Sequence, residues 1–178
     1  EGFAQWIVTD IRRWLAAAQA NGSATTTADS LWIEQVIDEA HAALAHAFQP
    51  CFVMNDYNLG NLLVQRFGDA WQVSGLFDLM EYYFGNGEAD LVRLIAVYIG
   101  ERQPPAMHFA QAFARAYLAQ KPAQAGFPER YALFMLRDRL IVWEYGTRPG
   151  NNWFAPGQSF RDYAEPLTQS WRLVVADS

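Results

Sequence analysis

Apolar residues recur at three- and four-residue intervals along most of this chain, and that rhythm is interrupted once, between Cys51 and Phe77. A 3.6-residue period buries one stripe of a helix, whereas a two-residue period buries one face of a strand. The pattern therefore predicts a mainly α, α+β domain with a small β insert. Phe3 to Ala20 carries Trp6, Ile7, Ile11, Trp14 and Leu15 at helical spacing and stops at Asn21-Gly22. Asn21-Gly22-Ser23 also fits a glycosylation acceptor, but nothing indicates secretion and it reads as a helix stop. A second helix is expected from Asp29 or Ser30, with Glu34 in its first turn and a stripe from Ile33 to Phe48, ending at Pro50.

Cys51 to Met54 is a short apolar run, followed by a polar loop from Asn55 to Gly60. Leu62 to Arg66 and Trp71 to Phe77 read as strands of a hairpin around Phe67-Gly68-Asp69-Ala70. Later helices are expected over Glu88 to Ile99, Pro105 to Gln120, Pro128 to Tyr145 and Ser159 to Val175, the last kinked at Pro166. With 178 residues, 52% hydrophobic and 18% charged, the chain suits one domain with a packed core. Its net charge of −6 argues against nucleic acid, which needs a basic face, and suits a cationic or neutral small substrate. Cys51 is the only cysteine, which points to a reducing, cytoplasmic setting. No stretch has the length of a membrane span.

The insert gathers oxygen ligands. A turn centred between Asp69 and Ala70 would set Asn61 directly opposite Asp78, with Cβ atoms about 4.5–5.5 Å apart, and a one-residue shift would leave them diagonal at about 7–8 Å. Asp56 lies five residues before Asn61, across a loop containing Gly60, and can return to the same mouth. Two carboxylates and an amide oxygen suit Mg²⁺, which prefers oxygen and is usually shared with substrate phosphates. His41, His46, His108 and Cys51 form no zinc pattern, and the histidines read as solvated or core residues.

The segment from Val53 to Val64, with Asp56 and Asn61, resembles the catalytic loop of the aminoglycoside phosphotransferase and choline kinase-like family, relatives of protein kinases that carry H-G-D-x-H-P-G-N there. Ser74 to Leu79 resembles the family's G-x-I-D-W metal segment, Glu81 falls on a commonly acidic position, and Gly85 to Leu91 resembles G-D-P-x-x-D-L. The resemblance implies the C-terminal lobe of a protein kinase-like fold, with ATP as co-substrate, Mg²⁺ and a small-molecule hydroxyl acceptor. It makes Asp56 the base that orients the hydroxyl, Asn61 and Asp78 the metal ligands, and Asp90 a structural brace of the loop. It also offers Glu81, Tyr82, Tyr83, Trp143, Glu144, Tyr145, Asn152 and Trp153 as substrate contacts, where aromatic and acidic groups would suit an amine. Arg137-Asp138-Arg139 reads as a solvated helix face.

Two departures stand out. Met54 and Asn55 replace His-Gly, removing a loop-organising hydrogen bond, and Asn58 and Leu59 replace His-Pro. Lys121 is the only lysine and lies outside any strand pattern, so the glycine-rich, lysine-bearing N-terminal lobe is not found here. The chain begins with Glu1 rather than methionine, which suggests a missing upstream segment. A kinase, a catalytically degenerate binding module and a helical interaction domain all remain open readings. As a lone lobe, the 178-residue chain is expected to bind ATP more weakly than low-micromolar; tighter binding by titration calorimetry overturns this expectation.

Overall fold

The computed structural model describes residues 2–22, 24–100 and 104–175, and it is mainly helical with two small antiparallel sheets. Helix α1 (Phe3–Ala20) buries Ile7, Ile11, Leu15 and Ala18 on one stripe, and Asn21 closes it. Helix α2 (Thr27–Leu44) begins two residues earlier than expected. Thr26 is its N-cap, and Asp29 is the returning member of a capping box, its Oδ2 accepting from Thr26 N at 2.7 Å. The buried Asp29 also accepts from Arg161 N at 2.8 Å, so one carboxylate serves two helix starts. Residues 45–50 then lead to the β segment without helix, which shortens the stripe expected to reach Phe48.

Strand β1 (Cys51–Val53) pairs antiparallel with β4 (Tyr83–Gly85). Between them, β2 (Leu62–Phe67) and β3 (Ala70–Leu76) form the expected hairpin. Gly68, at φ 59°, supplies the left-handed turn residue. Two details correct the predicted register. Phe67 pairs with Ala70, so the turn is centred one residue early, and a bulge between Leu63 and Val64 then shifts the ladder. Phe77 N donates to Asn61 O at 3.2 Å, so Asn61 faces Phe77 and Asp78 is the next residue along.

Helices α3 (Asp90–Gly100), α4 (Pro104–Gln120) and α5 (Phe127–Gly146) follow, α3 being preceded by a short 3₁₀ turn at Gly87–Ala89. Helix α5 runs through the centre, packing against α1, α2, α3, α6 (Phe160–Thr168) and α7 (Trp171–Val175). Its burial on nearly all sides brings Tyr131, Phe134, Leu136, Leu140 and Trp143 into one core. The expected single helix to Val175 is two: Pro166 lies inside α6, and the chain breaks at Gln169-Ser170. There Ser170 Oγ meets the buried Tyr131 hydroxyl at 2.8 Å. Burial of that phenol pushes its pKa up.

Most of the buried charges among the described residues are paired. Arg130, 2% exposed, grips both oxygens of Glu88 at 2.7 and 2.8 Å and donates to Ala125 O at 2.7 Å. Arg130→Ala would leave the Glu88 carboxylate buried without its partner, at a cost of about 3–5 kcal/mol. Urea unfolding should show this loss. A fall below about 1 kcal/mol would mean the pair is screened by water.

Candidate active site

Strand β1 ends at Val53, and the chain must then turn sharply to reach β2. Asn55 makes that turn at φ 68°, a left-handed conformation that asparagine tolerates better than most residues. It stands where the resembling family has glycine, so the backbone shape is compatible with both residues. The turn is pinned from below. Asp90, at the start of α3, accepts from Met54 N at 3.1 Å and from Asn55 N at 2.9 Å. Each amide would otherwise lack an acceptor in a partly buried place.

Asp56 and Asn61 meet. Asn61 Nδ2 donates to Asp56 O and to Asp56 Oδ2, both at 3.0 Å, while Asn58 Oδ1 accepts from Gly60 N at 2.8 Å within the loop. Spending the Asn61 amino group on Asp56 leaves its Oδ1 as an oxygen donor. Asp56 Oδ1 accepts from Arg93 Nε at 2.9 Å. The Asp56 side chain keeps 27% of its surface, so this pair holds the carboxylate without sealing it. Asp78 is exposed, and it too is left-handed, at φ 58°. Such strain in a non-glycine residue persists only where the surroundings impose it. The ladder bond from Phe77 to Asn61 carries Asp78 to the end of the hairpin beside the loop.

Carboxylate and amide oxygens are the donor types a hard divalent cation takes, with water and phosphate oxygens completing its shell. Among the described residues no three His, Cys, Asp or Glu side chains assemble a metal site, so a cation here would depend on the Asn61 amide and on its ligand.

The proposed substrate contacts separate into groups. Glu81 and Tyr82 are exposed in the segment between Asp78 and β4, Tyr82 stacking on Phe52 with centroids 5.4 Å apart. Tyr83 is half-buried against Phe3 and Trp6, and burial pushes its phenol pKa up. Trp143 and Glu144 are buried, although Trp143 also lines a cleft with Asn152 and Trp153. Trp143 is 1% exposed, packed against Phe154 and stacked on Tyr163, with Nε1 donating to Thr25 Oγ1 at 2.9 Å. Glu144 is 5% exposed and takes both bonds of the Arg148 fork. Trp153 is exposed, resting on Tyr145 at 5.1 Å, with Asn152 exposed beside it.

Arg137, Asp138 and Arg139 are also corrected: they are 8, 5 and 6% exposed rather than a solvated face. Arg137 Nε donates to Asp10 Oδ2 at 2.7 Å, and its Nη1 donates to Asn55 Oδ1 at 2.7 Å. Asp138 accepts from Arg139 and lies 3.5 Å from Arg93 Nε. Sequence reading passed over Arg93, although its position three residues after Asp90 puts both on one face of α3.

A short loop carries Asp56 and Asn61, its backbone is fixed by Asp90, and it is joined to the hairpin end through the Phe77–Asn61 backbone bond. The model of the phosphotransferase enzyme family matches residues 2–133, and the chain belongs to that family. No curated protein and no solved structure matches it significantly.

Burial holds the Asp90 carboxyl above the ordinary carboxylate range, against the pull of its two amide bonds. The folded state then binds that proton more tightly than the unfolded chain. The resulting stability is full below the ordinary range, about 4, and declines as pH rises through the elevated value. Wild-type stability relative to the non-titrating Asp90→Asn should therefore fall with rising pH over that window in urea titrations. A constant difference would contradict the assignment.

Proposed function

We propose that this chain is the C-terminal lobe of an ATP-dependent small-molecule kinase that transfers the γ-phosphoryl group to a hydroxyl. The observation that carries the reading is the direct contact of Asp56 with Asn61 inside a loop braced by Asp90. Family membership supports phosphotransfer as the reaction class. In this reading the half-exposed Asp56 carboxylate orients the acceptor hydroxyl and takes its proton. Asn61 Oδ1 and the Asp78 carboxylate would hold Mg²⁺, which would supply positive charge against that building on the transferred group. Asp90 takes no part in the chemistry and keeps the loop backbone in place.

The nucleotide would be gripped jointly with a glycine-rich lobe. The hairpin supports this: Val64, Trp71, Val73 and Phe77 are all exposed, as are Phe52 and Phe84 on the neighbouring sheet. Exposed apolar side chains in this number suit a surface that another domain covers. For the acceptor, Glu81 and Tyr82, in the segment after Asp78, favour a cationic or amine-bearing alcohol, such as an aminoglycoside, choline or amino sugar. We place the protein in the cytoplasm; no described helix is long and apolar enough to cross a membrane.

A second reading, a kinase-like binding module without turnover, draws on one observation. Met54, buried at the family's histidine position, offers no side-chain hydrogen bond to the loop. The natural protein containing this chain should be assayed for acceptor-dependent ATP consumption across aminoglycosides and amino alcohols. Asp56→Asn should lower turnover by about 10²–10⁴-fold with an unchanged thermal transition. Full activity in that variant would remove Asp56 as the base, and wild-type silence across the panel would favour the binding module.

A further inference from the structure

The loop lacks the histidine that organises it in the resembling family, yet Asp90 pins its backbone and both Asp56 carboxylate oxygens accept side-chain bonds. We infer that Arg93 and Arg137 are the positioning residues of this site, a pair of guanidinium tethers that hold Asp56 and Asn55 to the buried core of α5 in place of the missing loop histidine. The inference rests on the kinase reading for its catalytic consequence, but its structural content does not depend on it.

Each tether has one end in the loop and one in the core. Arg93 Nε donates to Asp56 Oδ1 at 2.9 Å and stands 3.5 Å from Asp138 Oδ1. Asp138 is fixed in turn by Arg139 Nε at 2.8 Å, and Arg139 Nη1 donates to the Tyr163 hydroxyl at 2.9 Å. The chain Asp56–Arg93–Asp138–Arg139–Tyr163 thus runs from the loop through α3 and α5 to α6. On the other side Arg137 joins Asn55 Oδ1 to Asp10 Oδ2 on α1, both at 2.7 Å. Its guanidinium also lies over the rings of Trp6 and Tyr83, at 5.3 and 5.4 Å. Four elements packed around the loop therefore meet at two adjacent residues of it.

The chemistry explains why arginine is needed. Asp56 offers two oxygens: Oδ2 faces the Asn61 amide, and Oδ1 would swing freely without a second donor. The guanidinium N–H has a fixed direction, so Arg93 Nε at 2.9 Å orients Asp56 Oδ1 more strictly than an ammonium point charge would, while Asp138 Oδ1, 3.5 Å from the same nitrogen, balances its charge. Asn55 in the left-handed turn provides what glycine cannot, a side-chain acceptor for Arg137. The substitutions at Met54 and Asn55 are therefore linked. The histidine's bond is lost at one position, and a replacement anchor enters at the next.

The test uses the natural protein containing this chain and three variants: Arg93→Gln, Arg93→Lys and Asp138→Asn. Hydrogen exchange over Met54 to Asn61 is followed by mass spectrometry beside the global thermal transition, and steady-state ATP consumption is measured where an acceptor is known. Arg93→Gln should speed exchange in that segment and lower kcat by about 10- to 100-fold, with KM for ATP unchanged. Arg93→Lys should recover part of both effects, and Asp138→Asn should show the same pattern more weakly. A merely structural role would move the global transition and leave kcat per folded molecule intact. Wild-type exchange and kcat in Arg93→Gln would overturn the inference. So would accelerated exchange across the whole domain in both Arg93→Gln and Asp138→Asn. An inactive wild-type protein would defeat the kinase reading alone, because local exchange still decides whether Arg93 holds the loop.

Discussion

A guanidinium buried in a helical core must find acceptors, and on α5 that requirement reaches outward into the loop. Arg137 and Arg139 cannot be solvated where they lie, and neither can Asp138. Leaving any of them unpaired would cost several kcal/mol. Their partners are drawn from α1, α3, α6 and the segment after β1, so the packing of four elements is satisfied only when that segment has one particular shape. The apolar core alone would not impose this. Hydrophobic contact is tolerant of small displacements, whereas a forked ion pair loses most of its strength when its geometry slips.

Two left-handed residues express the same constraint in the backbone. Asn55 and Asp78 are the only non-glycine residues with positive φ among those described, one in the loop and one at the hairpin end, next to the residue bonded to Asn61. Each carries a short polar side chain, the type that least resists this conformation. The strain at Asn55 is compensated by Asp90 beneath and Arg137 beside it. At Asp78 no side-chain bond offsets it among the described residues, and only the ladder bond of the preceding residue holds the chain there. The site is therefore rigid on the loop side and less supported on the hairpin side.

How much of this was readable from residues follows the range of the interactions. Helix α1 was legible to the residue, because its stripe is regular and Asn21-Gly22 ends it abruptly. The hairpin was legible from Phe67-Gly68-Asp69-Ala70, but its register was not, since one bulge cancels half of a turn offset. Strand β4 left no mark. Three residues are too few to show alternation, and Tyr83 to Gly85 pairs with residues 30 to 34 positions away by sequence. The charges of α5 misled most. Arg137-Asp138-Arg139 has the composition of a surface, and only the partner Asp10, 127 residues distant, reveals that it is buried. Likewise Trp143 and Glu144 belong to the types that contact ligands, and their burial is a property of the assembled helices.

The asymmetry of the site bears on how it would be completed. The β2–β3 hairpin is a two-stranded ladder whose large apolar side chains, among them Leu63, Val64, Trp71 and Val73, remain exposed. A hairpin of that kind is marginally stable alone and gains order from what covers it. Asp78 rides on its end, while Asp56 and Asn61 belong to the anchored loop. In the proposed kinase, whatever covers the hairpin would fix the distance between the two halves of the metal site. Nucleotide binding and metal geometry would then be coupled through Asp78, and the core contacts that set Asp56 would be independent of them.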